Sequence, residues 1–241
     1  YLRGHERPTF DAMLADLEPG QRAVLFRRLG PDEEPIGAGP LPGFTPSDVF
    51  EEPSASRYIV KGVLEPSELV VVFGESGAMK SFWVLDLALH VSAGLPYGGR
   101  NTNQAGVLYV AGEGGTALRR RVRAWLIRRG YQRDWVPPSM FVATQPANLM
   151  FESSTVSVTI AAAEAAIGCR VGVVVFDTLA ANFGPGDESK TEDVHRALAE
   201  ARAACGDRAI VLVHHVGHNQ KDRERGAYAL RGAADRRYLI E

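Results

Sequence analysis

Phe73-Gly74-Glu75-Ser76-Gly77-Ala78-Met79-Lys80-Ser81 decides the fold. An apolar run, Leu69 to Phe73, precedes it, and an apolar-periodic segment, Phe82 to Val91, follows. Strand, glycine turn and helix in that order are the layout of a phosphate-binding P-loop. In such a loop, backbone N–H groups and a helix N-terminus converge on one anion. Gly74, Glu75, Ser76, Gly77, Ala78, Met79, Lys80, Ser81 and Phe82 are therefore the expected contacts for a nucleoside triphosphate. Lys80 would reach the β- and γ-phosphates, and the Ser81 hydroxyl would ligate Mg²⁺. One position departs from the pattern: Met79 stands where G-x-x-x-x-G-K-[ST] has glycine. Glycine there lets the backbone approach a phosphate without a Cβ. An ordinary glycine turn between strand and helix is the competing reading of these residues.

The chain of 241 residues has room for one large α/β domain, or a domain plus an extension. Hydrophobic residues at 45% and charged residues at 23% are those of an ordinary globular protein. A formal net charge of −2 offers no global basic field, so any nucleic-acid contact has to come from a local patch. Cys169 and Cys205 lie far apart and outside any C-x-x-C spacing, which reads as two buried thiols in a reducing compartment. Apolar runs are strand-sized and no secretory leader is visible, so a soluble cytoplasmic protein without a membrane partner is expected. The chain starts at Tyr1 and stops inside a strand-like run, as a fragment or a trimmed chain would.

Two regions differ in texture. Residues 1–57 read as an N-terminal helical and extended arm: Phe10, Met13, Leu14 and Leu17 approach helical spacing, and Gly30 to Ser56 is rich in Pro, Gly, Asp and Glu. Residues 58–241 alternate apolar strands with helical segments. Strands are expected at Leu69–Phe73, Val107–Ala111, Met140–Ala143, Val171–Phe176, Ala209–His214 and Tyr238–Ile240. Helices are expected at Lys80–Ala93, Thr116–Arg129, Val156–Ile167 and Glu192–Ala204. This implies an α/β fold, a mostly parallel twisted sheet with helices on both faces. Ligands of such sheets sit at the carboxyl ends of the strands.

Polar residues cluster at those ends. Asp177 closes the run Val171 to Phe176, where a carboxylate can hold the Mg²⁺ of a bound nucleotide; capping the next turn is the plainer alternative. Glu113 follows Val107 to Gly112 and can deprotonate a water attacking the γ-phosphate, or merely be solvated in a glycine-rich turn. His214 and His215 end a third strand. Successive strand residues face opposite ways, so one of them can meet a nucleotide and the other cannot. His214, His215 and His218 lack a recognised zinc spacing.

Val216 to Arg225 is polar, with Lys221, Arg223 and Arg225 partly offset by Asp222 and Glu224, and suits either a nucleic-acid contact or a solvated loop. Arg225 or Arg231 could act as an arginine finger on a neighbouring subunit's nucleotide, or form a surface ion pair. Arg119, Arg120, Arg121, Arg123, Arg128 and Arg129 crowd one helix whose apolar stripe is Val122, Trp125 and Leu126. A solvated face is the plain reading of these arginines, and a nucleic-acid or subunit contact the sharper one.

Taken in order, Gly74–Ser81 with Phe82, Glu113, Asp177-Thr178-Leu179-Ala180, Asn182–Ser189, His214-His215 and the segment from Arg225-Gly226 to Ala234-Asp235 resemble the RepA-type ATPases of plasmid and phage replication. That group is a branch of the RecA/DnaB-like superfamily, and the resemblance covers about residues 58–241. It implies a RecA-like ATPase core using ATP and Mg²⁺, a helicase motor, and a homo-oligomer, commonly a hexameric ring, on single-stranded DNA. It also implies Glu113 as the catalytic glutamate, Ser81 and Asp177 at the metal, and His215, or His214, as the phosphate sensor. Arg225 takes the place of the trans-acting finger, with Arg231 as second choice. The rival readings are another RecA-like ATPase, of recombination or clock type, and a nucleotide-gated binding module in which Met79 has weakened hydrolysis.

Overall fold

The computed structural model describes residues 58–113, 115–131, 138–151, 153–215 and 225–241, with backbone alone for Ser153 and Arg225–Ala227. The N-terminal arm and the loop after His215 lie outside these residues.

Among the described residues six strands form one sheet: β1 (Leu69–Gly74), β2 (Gly106–Ala111), β3 (Met140–Ala143), β4 (Val171–Asp177), β5 (Ala209–His215) and β6 (Arg236–Leu239). Their spatial order is β3-β2-β4-β5-β1-β6, and every pairing is parallel. With β5 inserted between β1 and β4, this is the RecA-like arrangement. The helices are α1 (Lys80–Ala93), α2 (Gly115–Arg128), α3 (Ser153–Ile167), α4 (Leu179–Phe183), α5 (Thr191–Cys205) and α6 (Arg225–Ala233).

The central strands are Val-, Ile- and Leu-rich because both faces are covered, so no position can be polar cheaply. Leu69 and Val71 of β1, with Ile210 and Leu212 of β5, face a layer of α3, α5 and α6 residues. Val70, Val72, Val211 and Val213 face the other way, onto α1 and Leu118 of α2. Each fully buried Val or Leu is worth roughly 1.5–3 kcal/mol, which outweighs the modest strand propensities of single residues. The edge strand β6 instead alternates half-buried and exposed residues. Arg236 ties it to the rest through Glu68, at 2.7 Å, and Glu65, at 3.3 Å.

Two short elements escape sequence patterning. Five-residue α4 is too brief for a helical period, and α6 (Arg225–Ala233) carries two glycines within nine residues. Of the two thiols expected in the core, Cys205 is buried but Cys169 is exposed. Cys169 lies just past α3, in the turn into β4, where no layer covers it. No described helix is long and apolar enough to cross a membrane.

Candidate active site at the carboxyl edge of the sheet

The loop from β1 to α1 is built by two backbone constraints. Gly74 is extended, and a Cβ on it would lie 2.1 Å from the Ile240 carbonyl oxygen, so only glycine fits beside the backbone just past β6. Met79 precedes α1 with φ 61° and ψ 18°, in the left-handed region, and caps nothing with its side chain. The glycine of the general pattern is thus explained by conformation: the position needs positive φ, and methionine adopts it at a cost of about 1–2 kcal/mol. Its side chain is 65% exposed, so it does not fill the loop.

Lys80 is buried, and its Nζ donates to the carbonyl oxygens of Gly74 at 3.0 Å and Glu75 at 2.6 Å. Burial lowers its pKa from the usual lysine value, and the nearby Asp177 carboxylate partly opposes this. The ammonium is held inside the loop by groups that a phosphate oxygen can replace. Ser81 Oγ, one residue on, donates to Asp177 Oδ1 at 2.9 Å. The expected metal pair, Ser81 and Asp177, is therefore adjacent across 96 residues of sequence.

Two further contacts around these groups are not read from the sequence. Tyr109 is fully buried on β2, and its hydroxyl donates to Asp177 Oδ2 at 2.6 Å. Burial first, then the Asp177 charge and hydrogen bond, push the phenol well above its ordinary pKa, which keeps it a donor. Thr178 Oγ1 donates to Glu113 Oε1 at 3.2 Å and accepts from Ala181 N at 3.3 Å, so it caps α4 and steadies Glu113 together. A tyrosine in an otherwise aliphatic strand was the available signal for the first. The second needs the register in which Ala111 sits opposite Asp177.

The histidines separate as strand geometry requires. His215 is exposed and continues the row Ala209, Val211, Val213 on the Asp177 face. His214 continues the opposite row and lines a cavity of ≈ 690 Å³ with Phe73, Gly74–Ala78, Arg231 and Arg237. Its Nδ1 is buried without a hydrogen bond and lies 3.8 Å from Glu188 Oε2. Burial, then the charges of His215 and Lys80, push it down to about 4, so it is neutral at pH 7 and this contact is no ion pair. Arg231 lines the same cavity, beside the P-loop of its own chain. Arg225 opens α6, and its side chain lies outside the described residues.

The donors fit a magnesium nucleotide. Mg²⁺ prefers one or two protein oxygens plus phosphates and waters to an all-protein cage. Ser81 Oγ and Asp177 Oδ1 provide such oxygens, and the described residues hold no cluster of three or more His, Cys, Asp or Glu.

A buried lysine at a glycine loop, the next residue, Ser81, bonded to the aspartate that ends β4, and a glutamate two residues beyond β2 define a P-loop ATPase domain. The AAA domain family matches residues 38–221, and the chain belongs to that family. No curated protein matches it. Among solved structures, a KaiC-like protein of the hyperthermophilic archaeon Pyrococcus horikoshii is similar at 11% identity and TM-score 0.44, over 71% of each chain.

Proposed function

We propose that this chain is the ATP-hydrolysing motor domain of a RepA/DnaB-like replicative helicase, acting on single-stranded DNA as a homo-oligomer. The observation that carries the ATPase part is the 2.9 Å Ser81–Asp177 contact beside buried Lys80. Order and spacing of the later motifs support the helicase part.

Bound Mg²⁺, held by Ser81 and Asp177, would supply charge neutralisation at the β- and γ-phosphates. The chain's own groups do the rest. Lys80 exchanges the Gly74 and Glu75 carbonyls for phosphate oxygens, so its charge is used only when nucleotide arrives. Tyr109 holds the Asp177 carboxylate in place by donating to its Oδ2. Glu113, exposed and steadied by Thr178, accepts the proton of an incoming water. His215, on the Asp177 face, meets the γ-phosphate side and passes its state to the segment that follows. Arg231 and Arg237 face the cavity beside the loop, where the remainder of the nucleotide fits.

The deciding experiment measures ATP turnover with and without single-stranded DNA, alongside particle mass in solution. DNA-stimulated turnover by an oligomer supports the proposal. Turnover by a monomer indifferent to DNA refutes the helicase part and favours another RecA-like ATPase. The left-handed Met79 favours a second reading, a nucleotide-gated binding module with little hydrolysis. Under that reading Met79→Gly raises turnover from near zero. Under the motor reading the wild type already turns over and Lys80→Ala abolishes it.

A further inference from the structure

The arginines of α2 remain unexplained by the ATP site. The helix carries five arginines and no acidic residue in a chain of net charge −2. Two arginines in this stretch have local tasks. Arg121 lies over the Phe82 ring at 4.1 Å from its centroid, and Arg129, just past the helix, lies over Trp125 and contacts His90 at 2.5 Å. Arg119, Arg120, Arg123 and Arg128 are exposed and have no ion pair or hydrogen bond among the described residues.

At about 100° per residue, Arg120 and Arg123 point away from the side where Leu118, Val122 and Trp125 meet the core, and Arg119 lies on the flank between. They are i, i+3 and i, i+4 neighbours of like charge, an arrangement that destabilises a bare helix. A polyanion laid along that face removes the repulsion. Beside Arg119, a cleft of ≈ 440 Å³ lined by Gly115, Thr116 and Thr144 extends the face across the end of β3 with two hydroxyls. Threonine hydroxyls and arginines are the common contacts to nucleic-acid phosphates.

We infer that the outer face of α2, through Arg119, Arg120 and Arg123, binds the phosphate backbone of single-stranded DNA. The inference rests on the motor reading for its choice of DNA strand, but its charge argument is independent of hydrolysis. A second copy of the chain fits less well. Protein interfaces centre on apolar and aromatic residues and are depleted of charge, whereas Ile127 is the sole large apolar residue exposed on this helix.

The test uses the full chain and a fluorescein-labelled oligothymidine, with anisotropy read between about 50 and 200 mM salt. Replacing Arg119, Arg120 and Arg123 together by glutamine should flatten the slope of log K against log salt by about 2, at ~0.7 per lost contact. At ~0.1 M salt the same loss is about a hundredfold in affinity. The corresponding triple lysine variant should keep the slope. If the triple glutamine variant fails to fold, Arg123→Gln alone should flatten the slope by about 0.7. Unchanged slope and affinity overturn the inference, and so does a triple variant altered only in particle mass, which assigns the face to a second copy. Wild type that hydrolyses ATP without binding the oligonucleotide also overturns it, leaving the P-loop reading intact. Binding without hydrolysis upholds it and removes the motor reading.

Discussion

His214→Gln should make the protein markedly less sensitive to acid. The imidazole side chain is 18% exposed, and burial, aided by His215 and Lys80, holds its pKa at about 4 against 6.5 for the free side chain. As pH falls below about 6.5, the unfolded chain takes up a proton that the native state refuses until about pH 4. Stability is therefore lost on acidification, and it is fully present above the unfolded pKa. The whole 2.5-unit gap is worth about 3 kcal/mol, of which about 2.5 kcal/mol is already lost at pH ~4.5. Glu188, at 3.8 Å, is itself raised by burial, so little anionic charge remains at acid pH to rescue the imidazolium. Urea denaturation followed by circular dichroism at several pH values from about 7.5 to 4.5 measures the effect. Other carboxylates titrate alike in both proteins, so the difference curve isolates His214. Parallel curves, differing by less than ~0.5 kcal/mol across the range, would refute the burial argument.

Met79→Gly relieves a left-handed conformation worth about 1–2 kcal/mol and adds unfolded-chain freedom worth about 0.4–1 kcal/mol, so a net gain near 0.5 kcal/mol is expected. Met79→Val should move the urea midpoint the opposite way, and identical midpoints would deny the left-handed geometry. Tyr109→Phe removes the 2.6 Å bond to Asp177 and should cost about 1–3 kcal/mol in stability. It should also weaken Mn²⁺ binding in the presence of nucleotide roughly tenfold or more, read by electron paramagnetic resonance; unaltered metal affinity would make Tyr109 a packing residue only.

The sheet was legible because aliphatic runs such as Val171–Phe176 leave few alternatives in a chain that also shows helical segments. Lys80, Ser81 and Asp177 were legible for a local reason: each ends or opens an element whose pattern is strong. What sits between them was not. The Tyr109–Asp177 bond and the Thr178–Glu113 bond join residues 68 and 65 positions apart, and only the strand order brings them together. Arg231 shows the same limit: β6 pairing beside β1 brings the end of the preceding helix to the cavity at the loop, which spacing alone does not show. At Met79 the sequence shows a missing glycine, and the structure adds the backbone requirement behind it, a positive φ.

Calorimetric titration of ATP with Mg²⁺ into wild type and Lys80→Ala examines the claim on which the rest stands. One saturable site in the wild type, strongly weakened in Lys80→Ala, is the predicted result. No binding heat from the wild type at millimolar ATP and Mg²⁺, or equal binding by both proteins, would contradict a nucleotide site at the β1–α1 loop.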